Sequence, residues 1–289
     1  MLQQLSLLPI EVLTSIGLFM GLLIGSFLNV VIYRFPNMMM HAWTVQSREW
    51  LELDSDATVT PPTLSKPASH CSQCKTPIKV WQNIPLISWL ALRGQCAACQ
   101  TPISIRYPLV ELITGVLSAM VVYKFGWSGQ AFFGVLLTCV LITLTFIDFD
   151  HKLLPDEIVL PTLWLGLGLS VLPVFSQPSD AIIGAIAGYL CFWVVFQVFL
   201  KLTGKEGMGY GDFKLMALLG AWLGWAYLPQ IVLISTVVGS IVGICMMVFK
   251  KSSSDLAIPF GPYIALAGWL AMLWGNEINQ TYLIYTGIQ

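Results

Sequence analysis

The sequence predicts an all-α membrane protein that crosses the bilayer about eight times and carries one small polar insert. Hydrophobic residues make up 56% of its 289 residues, charged residues only 10%, and the mean hydropathy is +0.77. A soluble protein of this length would carry a larger share of charged residues. Apolar runs that approach or reach the roughly 17–25 residues needed to cross a bilayer cover residues 10–33, 107–125, 130–147, 158–175, 181–200, 213–228, 230–249 and 259–275.

The first run, residues 10–33, is interpreted as a retained transmembrane helix. It is too long for the core of a signal peptide, and no basic residue precedes it. Residues 34–106 then form the insert between the first and second transmembrane helices, and residues 107–275 form a seven-helix membrane domain. The first half of the insert, residues 37–69, shows little periodicity and is expected to be irregular. The net charge of −1 gives no indication of a nucleic-acid partner.

The lysine and arginine residues predict the orientation. If the N-terminus lies outside the cytoplasm, thirteen of the fourteen basic residues fall on the cytoplasmic side, and only Lys124 falls outside. The positive-inside rule therefore predicts a cytoplasmic insert and two extracytoplasmic termini.

A glycine-rich stretch separates the fifth and sixth apolar runs. Residues 204–211 contain four glycines, including Gly209 and Gly211, and Asp212 follows at once. Glycine allows close approach of another chain, and an acid at the edge of a membrane helix is a candidate functional residue. In the alternative interpretation the stretch is a plain turn, and Asp212 caps the next helix.

A second acid, Asp148, directly follows the third run, so both aspartates are predicted at the cytoplasmic face. Two carboxylates that lie close together do not both ionise easily. The charged one can act as general base toward water, and the protonated one can polarise a peptide carbonyl. This pattern indicates an aspartic protease. A proton-coupled transporter is the alternative, since carboxylates within a membrane also form proton relays.

Four cysteines of the insert form two CxxC pairs with 21 residues between the pairs. This spacing is typical of a structural zinc site with four thiolate ligands, and the similar flanks CSQCKTPIKV and CAACQTPISI predict two knuckles of similar shape. Disulfides are the alternative, although the cytoplasm is reducing. His70 precedes the first cysteine and is a candidate replacement for one thiolate, although a role in supporting a metal ligand is favoured over direct binding. The predicted ligands are Cys71, Cys74, Cys96 and Cys99.

Further segments carry weaker signals. The segment GSFLNVVIYRFP, residues 25–36, ends the first run with the small residues Gly25 and Ser26, which are suited to close helix packing, and with an Asn29 that is expected to be buried. Residues 258–263, with the sequence IPFGPY, interrupt the backbone before the last run. Each is explained equally well by packing, a cap or a turn.

These motifs together resemble the type IV prepilin leader peptidases that are also N-methyltransferases, which are intramembrane aspartic proteases of the GxGD type. The resemblance extends over nearly the whole chain. It is carried by GSFLNVVIYRFP, the two CxxC pairs, NIPLISWLALRGQC, RYPLVEL, IDFDHKLLPD, GMGYGDFK and IPFGP. It implies that Asp148 and Asp212 are the catalytic aspartates, and that Gly209 and Gly211 belong to the active-site loop.

The resemblance also implies the reaction and its setting. The enzyme would remove the leader of type IV prepilins and type II secretion pseudopilins on the cytoplasmic side of a bacterial inner membrane. It would then methylate the new N-terminus with S-adenosylmethionine, or in the alternative act as a peptidase only. Glu111 is a candidate for binding the positively charged cofactor, and an ion pair with Arg106 is the alternative role for this acid.

Overall fold

The computed structural model describes residues 8–53, 63–250 and 259–286, and these residues are mostly helical. No strand occurs in this part of the chain, where two isolated β-bridges join His70 to Pro77 and Gln95 to Pro102. The all-α fold class is therefore confirmed. The α-helices, in chain order, are α1 Ile10–Trp50, α2 Ile87–Ala91, α3 Arg106–Phe125, α4 Gly129–His151, α5 Asp156–Ser170, α6 Pro178–Thr203, α7 Tyr210–Leu223, α8 Leu228–Lys250 and α9 Gly261–Thr286. Short 3₁₀ turns cover Val80–Asn83 and Trp225–Tyr227.

Each predicted apolar run corresponds to one helix, but not every helix meets the requirements of a membrane span. Five helical segments in the described residues are long and apolar enough to cross a membrane by themselves. Helices α5 and α7, with 15 and 14 residues, are shorter than the roughly 17 residues that a straight crossing needs. The chain is thus a membrane protein with several spans, and the number eight stays a prediction. The five segments are Ile10–Trp50, Arg106–Phe125, Gly129–His151, Pro178–Thr203 and Trp225–Phe249.

The chain divides into two compact units, residues 1–131 and 132–289. In the first unit α1 packs closely along α3. A Cβ at Gly21 would lie 2.8 Å from the Cα of Gly115, and one at Gly25 would lie 2.8 Å from the Cα of Glu111. Small residues therefore let the two backbones approach, as the sequence predicts for this helix. Asn29 on α1 strengthens the pair, because its amide donates to the carbonyl of Tyr107 at 3.1 Å.

Helix α1 extends 17 residues beyond the predicted end of the first span and reaches Trp50. The prediction of irregular structure from residue 37 is therefore wrong for residues 37–50. Pro36 lies inside the helix, where it removes one hydrogen bond. The following residues, which include three methionines and an alanine, favour helix strongly enough to continue it. Residues 54–62 lie outside the described part of the chain.

In the second unit, α7 is the central helix. Eleven of its fourteen residues are buried, among them Asp212 and Trp222. The indole N–H of Trp222 donates to the carbonyl of Thr162 on α5 at 2.8 Å. Elsewhere in this unit, Trp269 of α9 donates to Thr138 of α4 at 3.0 Å. Because protein surrounds α7 on most sides, a short helix is sufficient here.

Candidate active site and metal centre

Asp148 lies in the last turn of α4, three residues before that helix ends. The side chain is only 5% exposed, and its Oδ2 atom has no hydrogen-bond partner among the described residues. Gly261, the first residue of α9, lies directly against this carboxylate. A Cβ at position 261 would come 2.6 Å from Oδ2. A buried carboxylate with an unsatisfied oxygen is unfavourable for folding, which indicates a role beyond structure.

Asp212 is the third residue of α7 and is 7% exposed. The cap position of this helix is Gly209, and no side chain caps it. The alternative in which Asp212 serves as the helix cap is therefore not what the structure shows. Its carboxylate is close enough to that of Asp148 for the two charges to interact electrostatically. The ends of two helices thus bring together the two aspartates that the sequence predicts as a pair.

Leu154 closes the space beside this pair. A Cβ at Gly211 would lie 2.8 Å from the Cβ of Leu154, and one at Gly261 would lie 3.2 Å from its Cδ1. Both positions require glycine, since a larger side chain would push Leu154 away from the carboxylates. Gly209 differs, because the nearest atom to a Cβ there is Oδ2 of Asp212 at 4.0 Å. This position is open space in front of Asp212.

Sequence reasoning missed two residues of this site. Gly261 belongs to the segment IPFGPY, for which packing, a cap and a turn were equally good explanations, and of which Ile258 lies outside the described residues. A glycine between Phe260 and Pro262 gives no sign by itself that a carboxylate lies against it. Leu154 is one apolar residue among many. The only available signal for Gly261 was its predicted place at the same membrane face as the two aspartates.

The other acids near these helix ends are exposed. Asp156 is the first residue of α5, and its two carboxylate oxygens accept hydrogen bonds of 2.7 Å from Nζ of Lys214. This ion pair joins the first turns of α5 and α7. Burial therefore separates Asp148 and Asp212 from the four exposed acids, which are Asp150, Asp156, Glu157 and Glu206.

Four cysteine sulfurs of the insert form one cluster, in which all lie within 4.8 Å of one another. The distance is 3.7 Å between Sγ of Cys71 and Cys99, and 4.0 Å between Sγ of Cys74 and Cys96. Four thiolates bound at about 2.3 Å from a tetrahedral metal ion are about 3.8 Å apart, whereas a disulfide needs about 2.05 Å. The cluster fits a single metal ion and not two disulfides. His70 is not part of it.

The two knuckles fold alike, which explains how they converge on one point. In the first, the N–H of Cys71 donates to the carbonyl of Thr76 at 3.0 Å, and that of Lys75 donates to the carbonyl of Cys71 at 3.1 Å. The second knuckle repeats both bonds 25 positions later, at 2.9 Å each. Its equivalent residues are Cys96, Gln100 and Thr101.

A threonine beside the second cysteine of each knuckle prepares the sulfur for metal binding. The hydrogen bond between Sγ of Cys74 and Oγ1 of Thr76, 3.2 Å long, lowers the pKa of Cys74. The matching bond to Thr101 is the main cause that lowers the pKa of Cys99 to about 6. Since the thiolate is the form that binds a metal, both hydrogen bonds favour metal binding.

Glu111 lies in the second turn of α3 and is 8% exposed. Its Oε2 accepts a hydrogen bond of 2.8 Å from the backbone N–H of Leu86, and Ser26 of α1 also hydrogen-bonds to it. Leu86 has a φ of +59°, which non-glycine residues seldom adopt. The carboxylate therefore holds the insert in a particular backbone conformation, and its predicted contact with the cofactor stays a prediction.

Comparison with known proteins connects both units to one family. Residues 19–125 match the model of the bacterial peptidase A24 N-terminal domain, and residues 135–244 match that of the type IV leader peptidase family. A protein of Stutzerimonas stutzeri named prepilin leader peptidase/N-methyltransferase is 52% identical over 95% of this chain and 98% of its own length. Proteins of the same name from Pseudomonas aeruginosa and Neisseria gonorrhoeae are 50% and 49% identical over 93% and 90% of each chain. The search of solved structures found no match. The chain therefore belongs to the type IV leader peptidase family.

Proposed function

We propose that this protein is an intramembrane aspartic endopeptidase that removes the leader of type IV prepilins and type II secretion pseudopilins and then N-methylates the new N-terminal residue. The observation that carries the proposal is the meeting of Asp148 and Asp212, both buried, at the ends of α4 and α7. The name that the relatives share, prepilin leader peptidase/N-methyltransferase, supports both activities.

The two carboxylates divide the work of peptide hydrolysis. When two buried carboxylates lie close together, one proton shared between them reduces their repulsion. The ionised member takes a proton from water as the water attacks the scissile carbonyl, and the protonated member hydrogen-bonds the carbonyl oxygen. The peptide C–N bond then breaks as the carboxyl group that took the proton donates it to the leaving amine nitrogen. The open space at Gly209 lets the extended backbone of the substrate approach Asp212. Both acids lie at helix ends and not at mid-helix, which favours hydrolysis over proton transport.

The metal of the cysteine cluster is proposed to be zinc with a structural role. Cys71, Cys74, Cys96 and Cys99 fill all four positions of a tetrahedral site, so no position remains for water or substrate. When bound, zinc would join the two knuckles of the insert. The hydrolysis needs only the aspartates.

Methyl transfer is proposed to use S-adenosylmethionine as the donor. The acceptor is the new α-amine, whose ordinary pKa of about 7.7–8.0 leaves a useful neutral fraction. Correct placement of the amine can then supply most of the acceleration. Glu111 is the candidate to attract the positive charge of the donor, a role in addition to its hydrogen bond to Leu86.

The proposed location is a bacterial inner membrane. The insert and the active site face the cytoplasm, and both termini are periplasmic, as the distribution of lysine and arginine predicts.

The test is incubation of purified, membrane-reconstituted enzyme with a full-length prepilin, with and without S-adenosylmethionine, followed by intact-mass analysis. Loss of the leader plus the mass of one methyl group is the expected result. Loss of the leader alone would leave a peptidase only. If the prepilin is unchanged although the enzyme retains its metal and its fold, the proposal is rejected and the alternative, a proton-coupled transporter, is favoured.

A further inference from the structure

One part of the first unit is strongly basic. Residues 57–110 contain five basic residues and no acidic residue, although the whole chain has 14 basic and 15 acidic residues. Such a one-sided distribution attracts a negatively charged partner. The basic residues are Lys66, Lys75, Lys79, Arg93 and Arg106.

The middle of this region exposes large apolar side chains. Residues 79–93, which we call the interfacial segment, contain the 3₁₀ turn Val80–Asn83 and helix α2. Ile84, Ile87 and Leu90 recur every third residue and are 45%, 64% and 67% exposed, and Trp81 is 53% exposed. The ends of the segment are the exposed basic residues Lys79 and Arg93. Apolar side chains grouped in this way indicate contact with a partner or a membrane.

The opposite face of the interfacial segment is fixed to the protein. Pro85 and Ser88 are buried, and within the segment the hydroxyl of Ser88 donates to the carbonyl of Trp81 at 2.9 Å, which stabilises its local shape. Two further hydrogen bonds join the segment to the rest of the unit, and the first is that from the N–H of Leu86 to Glu111. The indole N–H of Trp89 donates to the carbonyl of Ile103 at 3.2 Å, just before α3 begins. The exposed face is therefore held in place and is not a product of a loose loop.

The hydrogen bond between Leu86 and Glu111 places this segment at the level of the membrane surface. Helix α3 has 20 residues, and at 1.5 Å per residue it spans about 30 Å, the thickness of the hydrocarbon layer. Its first residue, Arg106, must therefore lie close to the interface. Glu111 is five residues farther along, which is about 7.5 Å deeper. Helical side chains point back toward the N-terminus, so the N–H of Leu86 lies beside the first turn of α3. It therefore lies at the depth of the membrane surface, rather than in the surrounding water.

We propose that the interfacial segment lies in the headgroup region of the bilayer and binds anionic phospholipids. Ile84, Ile87 and Leu90 contact the upper acyl chains, and the cationic groups of Lys79 and Arg93 bind lipid phosphates. An apolar centre with basic flanks is the pattern of helices that lie in the plane of a membrane. The predicted cytoplasmic insert is thereby partly a membrane-bound element, and its metal knuckles extend into water.

Photocrosslinking in the full-length protein tests this proposal. Leu90 is replaced by p-benzoyl-phenylalanine, and the protein is reconstituted in nanodiscs of phosphatidylcholine with phosphatidylglycerol. The matched control carries the same residue at Ala98, an exposed position of the second metal knuckle. Mass spectrometry should find lipid adducts at position 90 and little or none at position 98. Adducts to protein only, or no adducts at position 90, would overturn the proposal, the former by revealing a protein partner for this face.

The charge requirement is tested separately. The double variant Lys79→Glu, Arg93→Glu should lower the yield of lipid adducts at position 90 in discs with phosphatidylglycerol, by up to about fivefold per residue. In discs of phosphatidylcholine alone the same variant should behave like the parent. If the double variant and the parent give equal yields of lipid adducts in discs with phosphatidylglycerol, binding of anionic headgroups is rejected. The metal content of each variant shows whether the insert is still folded, and the double variant Lys79→Gln, Arg93→Gln removes the same charges more mildly if the glutamate variant loses metal.

Discussion

Gly261 lies so close to Asp148 that a Cβ at position 261 would come 2.6 Å from the Oδ2 atom of the carboxylate. The start of α9 is thus shaped to fit the candidate catalytic acid. Gly261→Ala should turn the carboxylate away from Asp212 and lower the rate of leader removal about 100-fold, since a displacement of about 1 Å can cost that much. The measurement is cleavage of a prepilin by equal amounts of membrane-inserted enzyme.

Gly168→Ala is the matched control, because no atom lies within 4 Å of a Cβ at that position of α5. It should retain the parent's activity. If Gly261→Ala cleaves as fast as Gly168→Ala, the close approach of Gly261 has no role in catalysis.

Asp148→Asn and Asp212→Asn should each abolish cleavage while the protein still inserts and keeps its metal. The double variant should be no slower than either single variant, because the two acids act as one unit. Asp150→Asn and Asp156→Asn should keep substantial activity, since both acids are exposed. Leader removal, normalised to inserted protein, is the readout. An active Asp148→Asn enzyme would contradict the assignment.

The two glycines of the active-site loop should respond differently to alanine. Gly211→Ala should lower the amount of folded protein, because its Cβ would lie 2.8 Å from Leu154. Gly209→Ala meets no atom closer than 4.0 Å, so the enzyme should fold normally. If the substrate backbone passes this position, cleavage should fall through a higher KM. Unchanged kinetics would show that the substrate does not approach there.

Cys71→Ser or Cys99→Ser should release the metal and loosen the insert, because each removes one of four ligands. Methylation should suffer at least as much as cleavage, since the aspartates lie in the other unit. Elemental analysis and the two activity assays are the measurements, and Cys191→Ser, outside the cluster, is the control. One zinc retained after substitution in both knuckles would contradict the proposed ligand set.

Glu111→Gln separates the two roles considered for this residue. Glutamine can still accept the hydrogen bond from Leu86 but has no negative charge. If the charge attracts the methyl donor, methylation should fall while cleavage continues. If the residue serves only to hold Leu86, Glu111→Gln should keep both activities. Glu111→Ala should then lower the amount of folded protein, and methylation and cleavage should fall together with it.

The parts of the fold that the sequence predicted are those that follow from the bilayer. A run of about 20 apolar residues has few alternatives to a membrane helix, so the long helices lie where the runs predict. The continuation of α1 from residue 37 to residue 50 lacked this signal, because it mixes polar and apolar residues and follows Pro36. Its helical structure depends on residue preferences, which are a weaker guide than hydropathy.

The candidate site was predictable where a charged residue or the glycine-rich stretch marks it. Asp148 and Asp212 stand out because an acid at the edge of an apolar run is rare. Gly261 and Leu154 carry no charge, and their importance depends on which helix ends meet in space. The partner of Glu111 was also invisible, since a backbone N–H such as that of Leu86 leaves no mark in the sequence.

A metal ion bound to the four cysteines would close a ring of the chain between the two knuckles, residues 75–95. If the metal acts as a cross-link does, closing a loop of this length removes conformational entropy from the unfolded chain worth about 3 kcal/mol. The interfacial segment lies entirely inside this ring. A metal at the knuckles would therefore restrict the conformations of residues 79–93 when they dissociate from the membrane, and would make their rebinding faster. Removal of the metal by a chelator should therefore first slow the rebinding of the interfacial segment to the membrane, before it affects Asp148 and Asp212.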